Sequence, residues 1–195
     1  MLVKTSLDLV LASASPRRAE LLDQIGVVPN LIVPPNINET AITGESPRQL
    51  VSRLSVNKAI WVSERHSGSV ILAADTIVAC GRRILSKAEN LEQARNFLNL
   101  LSGRRHKVIS GLAIISPNGS LHKRIVETRV NFKRLSPTEL DLYLKSGEWE
   151  DKAGAYAIQG SAAKFVKSIN GSYSNVVGLP LFETAQLLEG LGYFL

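Results

Sequence analysis

Leu72-Ala73-Ala74-Asp75-Thr76-Ile77-Val78 sets one carboxylate in the middle of the most apolar run of the chain. Val70 to Ala74 lie on one side of Asp75, and Ile77 to Cys80 follow Thr76. Such a run, bounded by polar residues, reads as a strand buried on both faces. An ionised carboxylate there is expensive unless a cation, a metal or several donors compensate it. Two readings stay open at this point. Asp75 is either a structural residue, paired or capping a kink, or a functional one whose partners come from elsewhere in the chain.

The chain has 195 residues, enough for one domain, or two lobes of one domain, with a real core. We take residues 1–195 as that single domain. Its 23 basic residues against 17 acidic give +6, which suits an acidic partner. The basic residues are scattered and aromatics are only 6%, which argues against a stacking platform for nucleic acid. Phosphate-bearing small molecules fit at least as well. Cys80 is the only cysteine, so neither an internal disulfide nor a cysteine zinc site is expected, and a reducing cytoplasm is the natural compartment. Lys4, Leu9-Val10-Leu11 and Ala12-Ser13-Ala14 mimic a short signal peptide, but Asp8 interrupts an already short apolar stretch. No stretch is long and apolar enough to span a membrane.

Three helices open on Ser-Pro. Ser46-Pro47-Arg48-Gln49 and Ser136-Pro137-Thr138-Glu139 each complete a capping box. Ser15-Pro16-Arg17-Arg18, after a strand from Leu7 to Ala12, does not. It puts two arginines at the positive end of the helix dipole, where cations are unfavourable. They either reach solvent and surface acids or mark a site where an anion meets free N–H groups and guanidinium forks. The helix from Pro47 to about Glu64 places Leu50, Val51, Leu54, Trp61 and Val62 on one face, with Lys58 in its middle. Lys58 either snorkels past that stripe or points into a polar cleft, toward a phosphate or Asp75.

Further strands are expected over Val28–Val33, Ile84–Leu85, Val108–Ile115, Ile125–Phe132 and Lys164–Ile169. A helix capped by Asn90 packs through Leu91, Ala94, Phe97 and Leu98 and closes at Leu101-Ser102-Gly103. Pro117-Asn118-Gly119 reads as a hairpin turn, and a last helix follows Gly178-Leu179-Pro180. The small residues of Asp151-Lys152-Ala153-Gly154-Ala155-Tyr156-Ala157-Ile158-Gln159-Gly160 permit close backbone approach. Lys87 lies on a strand-to-helix connection, and Glu39 in a polar loop; each alone reads as a solvated side chain. No Walker loop, G-x-G-x-x-G or H-E-x-x-H is present. His66, His106 and His122 are scattered and lack a Ser/His/Asp signature.

These stretches together resemble the Maf family of nucleoside triphosphate pyrophosphatases. The resemblance is carried by Leu11 to Leu22, Lys58-Ala59, Ala74 to Val78, Leu101 to Gly103, Asp151 to Gly160 and Val177 to Leu181, in the family's order across nearly the whole chain. It implies an α/β fold of two lobes around a cleft on a mixed, twisted sheet, similar to the inosine triphosphate pyrophosphatase fold. It also implies hydrolysis of a nucleoside triphosphate to the monophosphate and pyrophosphate, with Mg²⁺ or Mn²⁺ as cofactor. The Ala-Tyr-Ala-Ile-Gln-Gly form at 155–160 resembles the branch acting on dTTP and UTP, and a homodimer is implied by the family alone.

Carried over residue by residue, Asp75 is the implied proton acceptor, and Glu39 with Asp75 the implied metal ligands. Ser13, Arg18, Lys58 and Lys87 would bind phosphate; Arg17, Thr76 and Gln159 would set substrate preference. Gln159 carries both a donor and an acceptor, which match the adjacent N–H and carbonyl of uracil or thymine. One departure stands out: many relatives have proline after the lysine at 87, where this chain has Ala88, which would loosen the Lys87 loop. Two other functions fit the residues. One is a nucleotide-sensing or nucleic-acid-binding regulator of division without turnover; the other is a pyrophosphatase for non-standard purine triphosphates. A pure phosphate binder gains nothing from a buried negative charge beside its ligand, so Asp75 discriminates against the sensor.

Overall fold

Val70–Cys80 forms one strand of 11 residues, buried along nearly all its length, as its apolar sequence requires. The computed structural model describes residues 7–193; Lys4, read above with the apolar start of the chain, lies outside them. In chain order the elements are β1 (Leu9–Ala12), α1 (Pro16–Asp23), β2 (Leu31–Ile32), α2 (Pro47–Ser63) and β3 (Val70–Cys80). Then follow β4 (Arg83–Leu85), α3 (Leu91–Leu101), β5 (Arg105–Ile115), β6 (Leu121–Phe132) and α4 (Pro137–Lys145). A 3₁₀ turn (Ser161–Phe165), β7 (Val166–Asn170), α5 (Tyr173–Val177) and α6 (Leu181–Gly190) complete the chain. The strands form a mixed seven-stranded sheet in the order β2-β1-β3-β5-β6-β7, with β4 paired to β3. β1 runs parallel to β2 and β3, while β4 and β7 pair antiparallel to β3 and β6.

The chain divides into two compact units. Unit 1 comprises residues up to Asp75, Ser110–Val126 and Gly178 onward; unit 2 comprises Thr76–Ile109 and Glu127–Val177. In unit 1 the register sets Leu11 opposite Leu72 and Ala12 opposite Ala73. Side chains alternate along a strand, so Val10, Ala12, Ile71 and Ala73 share one face and pack against Ala59 and Val62 of α2. Asp75 has the same parity as Ile71 and Ala73 and therefore faces α2. Gly111 of β5 lets this helix lie close: a Cβ there would fall 2.1 Å from the Val51 carbonyl oxygen. Any side chain at 111 would push α2, and Lys58 with it, away from the sheet.

Unit 2 has its own core, in which Val78, Leu98, Leu101, Val130, Phe132, Leu144 and Phe165 pack together. Both expected capping boxes form, on α2 and α4, and Asn90 caps α3 by accepting from the Gln93 N–H. The strand expected over Val28–Val33 shrinks to Leu31–Ile32. Pro29 has no N–H to give a ladder, and the Asn30 side chain substitutes by accepting from Leu9 N–H at 2.8 Å. β5 starts three residues before the expected Val108, because Arg105 and Lys107 mask the strand pattern. Lys164, expected in a strand, lies in the 3₁₀ turn, and the short α5 escapes the sequence pattern.

Candidate functional site

Lys58 resolves its two sequence readings by turning inward. Its Nζ donates to Asp75 Oδ1 at 2.6 Å and lies 2.8 Å from Glu39 Oε1. Lys58 and Asp75 are 7% and 6% exposed, whereas the Glu39 side chain is 55% exposed. One ammonium thus bridges a buried carboxylate and a solvent-facing one. The sequence puts it there because Lys58 lies on the buried face of α2 with Leu54, Ser55 and Val62, and that face meets the Asp75 side of β3. The costly carboxylate of the apolar strand therefore has its cation.

The loop that brings Glu39 is tied to the same helix. Arg53, on α2, donates from Nε and Nη2 to both oxygens of Glu45 (2.7 and 2.8 Å), and from Nη2 to the Thr40 carbonyl at 3.0 Å. Donating to Glu45 raises the Arg53 pKa above its ordinary value, and accepting from Arg53 lowers that of Glu45. A two-pronged guanidinium–carboxylate pair fixes direction as well as distance. Sequence reasoning missed Arg53; a polar residue at the start of a helix gives no signal until the loop returns to it.

Ser13 and Arg18 form the third part. Ser13 follows β1 and is buried. Its Oγ accepts from Ser15 N–H at 3.0 Å and from Arg18 Nη1 at 3.1 Å. Arg18 Nε also donates to the Gly178 carbonyl at 3.0 Å. Ser15 itself makes no side-chain cap, in keeping with the missing capping box. Burial lowers the Arg18 pKa; the charges of Asp75 and Glu39 act against that, and the charge of Arg17 adds to it. Arg18 thus already holds Ser13 and the Gly178 turn, while Arg17 next to it is only partly buried. Unit 1 brings together Ser13, Arg18, Glu39, Lys58 and Asp75.

Thr76, Lys87 and Gln159 belong to unit 2. Within it, Lys87 pairs through its backbone with Ala153, and its Nζ lies 3.5 Å from Asp151 Oδ1. The 151–160 stretch thus meets the Lys87 loop. Ala88 packs against the unit 2 core, which anchors that loop where proline is absent. Gly154 serves the close approach expected of it, since a Cβ there would fall 2.9 Å from Val78. Asp151 and Ala155 take positive φ, at 56° and 58°, uncommon for residues other than glycine. Gln159 is exposed, and its amide makes no hydrogen bond among the described residues.

A divalent cation can be tested against this donor set. Among the described residues, no group of three or more His, Cys, Asp or Glu converges. Glu39 and Asp75 do converge, on one Lys58 ammonium. Two carboxylates completed by substrate oxygens and water suit Mg²⁺, which seldom takes an all-protein cage. Among the described residues no helix is long and apolar enough to cross a membrane.

The chain can now be set beside known proteins. It is 57% identical over 185 residues to a dTTP/UTP pyrophosphatase of Paramagnetospirillum magneticum, covering 95% of this chain and 97% of that one. A dTTP/UTP pyrophosphatase of Caulobacter vibrioides is 54% identical, with 95% and 96% covered. The structure of a HAM1 protein from Coxiella burnetii superposes with a TM-score of 0.52 at 17% identity, over 94% of this chain and 99% of that one, a likeness of fold. The family described as Maf-like protein matches residues 8–191, and the chain belongs to that family.

Proposed function

We propose that this protein hydrolyses dTTP and UTP to the monophosphate and pyrophosphate, acting as one Maf-like domain built from both units. The observation that carries the reading is the buried Asp75 held 2.6 Å from Lys58, in a chain more than half identical to proteins of that name. A water oxygen attacks the α-phosphorus, and the bond from that phosphorus to the α,β-bridging oxygen breaks. The electron pair leaves with pyrophosphate. Asp75 accepts the proton of the attacking water. Lys58, Arg18 and Lys87 supply positive charge where negative charge builds on phosphate oxygens. Ser13, oriented by Arg18, offers its hydroxyl to a phosphate oxygen. Glu39 and Asp75 would hold a divalent cation, whose charge would offset that of the substrate phosphates.

Arg17, Thr76 and Gln159 set substrate preference in this reading. The unengaged Gln159 amide supports it, because it is free to pair with the edge of a pyrimidine. The test is a panel of nucleoside triphosphates with Mg²⁺ or Mn²⁺, followed by pyrophosphate release. dTTP and UTP should turn over fastest. Turnover of purines alone would overturn the substrate assignment, and no turnover of any would overturn the enzyme.

A further inference from the structure

Unit 2 contains a second concentration of positive charge that the catalytic reading leaves unused. A pocket of about 540 Å³ is lined by Ser102, Gly103, Arg104, Asn131, Phe132, Lys133, Arg134 and Lys167. Half of these residues are cations and none is acidic. Lys133 is paired with Glu139 of α4. The side chains of Arg104, Arg134 and Lys167 are exposed and make no hydrogen bond or ion pair among the described residues. Like charges gathered around one concavity repel each other and focus a positive potential into it. Other cations of unit 2 are mixed: Lys107 has Glu127, Arg95 has Asp141 and Lys87 has Asp151, whereas the exposed Arg82, Arg83, Arg105 and Lys145 make no ion pair among the described residues but line no such pocket.

The pocket is built rather than incidental. Three chain segments are laced by backbone hydrogen bonds: Gly103 N–H to the Lys133 carbonyl at 2.9 Å, Phe132 N–H to Arg104 at 3.0 Å, and Lys133 N–H to Phe165 at 2.8 Å. Gly103, at φ +70°, makes the turn out of α3 and lies against Arg134, whose Cα and Cβ would be 3.8 Å from a Cβ at 103. The ladder between β6 and β7 shifts register between Asn131 and Phe132, an irregularity of the kind that re-aims side chains. Ser102 Oγ accepts from Leu135 N–H at 2.8 Å, so its own hydrogen remains available to donate. The lining thus offers guanidinium, ammonium and hydroxyl donors together. The one aromatic ring, Phe132, is 1% exposed and gives a base nothing to stack on.

We propose that this pocket binds an oligophosphate chain, recognised through its phosphates alone and not through any attached base. Pyrophosphate and tripolyphosphate are the free forms; the tail of a nucleoside triphosphate carries the same chemistry. The site shares no residue with the Lys58–Asp75 cluster, so it stands or falls apart from the catalytic reading.

The experiment is a titration of the ¹⁵N-labelled full chain, followed through the amides of Ser102, Gly103, Asn131 and Arg134. Tripolyphosphate should shift these amides and saturate, and sodium sulfate at equal ionic strength should not. Arg134→Ala and Lys167→Ala should each weaken this binding by about tenfold, as expected for the loss of a charge-assisted contact. Both side chains are exposed, so turnover of dTTP should be unchanged. An α,β-methylene nucleoside triphosphate should bind these amides no tighter than tripolyphosphate does. Four results would overturn the proposal: no saturable shift, an equal response to sulfate, binding of the nucleotide alone, or tighter binding of a short single-stranded oligonucleotide. The last would make nucleic acid the partner.

Discussion

The two units differ in what they bury. Unit 1 buries charge: Arg18, Lys58 and Asp75 are all 8% exposed or less. The polar residues buried in unit 2 are His106, Thr128 and Asn175, none with a formal charge. They are tied into their surroundings by neutral contacts. His106 Nε2 lies 2.8 Å from the Tyr156 hydroxyl, and Asn175 Nδ2 donates to Thr128 Oγ1 and to the Val108 carbonyl. Neutral polar groups can knit a core together at modest net cost. Buried ions gain little stability over apolar residues of the same shape. Where a fold retains three of them side by side, chemistry is the better explanation. On the proposed function, the difference separates the unit that holds Asp75 from one whose interior is devoted to structure.

The largest expected effect comes from removing the charge without the shape. Asp75→Asn should lower turnover of dTTP by about 10²- to 10⁴-fold, the range of a lost general base. It should leave the far-UV spectrum and melting temperature nearly unchanged, because the amide still accepts from Lys58 and Glu39 still neutralises that ammonium. Full activity in the variant would remove Asp75 from the mechanism and erase the contrast between the units.

Acid should strike the other unit. Burial lowers the His106 pKa from 6.5 to about 4, and its Nδ1 has no hydrogen-bond partner. The unfolded chain takes up this proton near 6.5 and the folded chain only near 4. Between those values the unfolded state binds more protons, so stability falls as pH drops through that window. The loss is on the order of 3 kcal/mol at 1.36 kcal/mol per unit. His106→Leu should flatten this acid limb in urea unfolding followed from pH 7 to 4. It should also cost about 1–3 kcal/mol at neutral pH, because Tyr156 loses its partner. An unchanged acid limb would show that His106 is not the group that titrates.

Much of this was legible in the residues. Asp75 betrayed itself by cost, as a charge in an apolar run. Lys58 did so by phase, as a cation inside an apolar helical stripe, and the two proved to be partners. The missing capping box marked the α1 start, and the two Ser-Pro boxes that are present closed as read. Loops were harder. Glu39 meets Lys58 only through the fold of residues 34–45, and the Arg53 clamp that returns that loop to α2 depends on a contact no periodicity encodes. Gly111 is equally silent in sequence; its role appears only when Val51 is found against it. Local patterns report burial and phase, whereas contacts between a loop and a helix are set by tertiary packing.

A smaller effect separates binding from chemistry. Gln159→Ala should narrow the gap between dTTP or UTP and the other triphosphates by roughly tenfold, the scale of one or two hydrogen bonds to a base. The rate on the best substrate should fall less. An unchanged substrate profile would take the base-reading role away from Gln159.

Arg53 gives the smallest and most specific test of unit 1. It touches neither Lys58 nor Asp75; through Glu45 and the Thr40 carbonyl it fixes the loop that carries Glu39. Partly exposed ion pairs contribute little to stability, so Arg53→Ala should melt close to the parent protein. Glu39 would then leave the Lys58 ammonium more often, and the carboxylate pair would be formed for less of the time. A metal that needs both carboxylates would require a higher concentration for half-maximal turnover, by a few-fold, while the rate at saturating metal stays near the parent value. Arg53→Lys keeps the charge but not the fork and should behave like Arg53→Ala. If lysine restores the metal dependence, charge near the site matters and the two-pronged geometry does not. If the maximal rate falls and the metal requirement does not move, Glu39 acts on the substrate rather than on the cation.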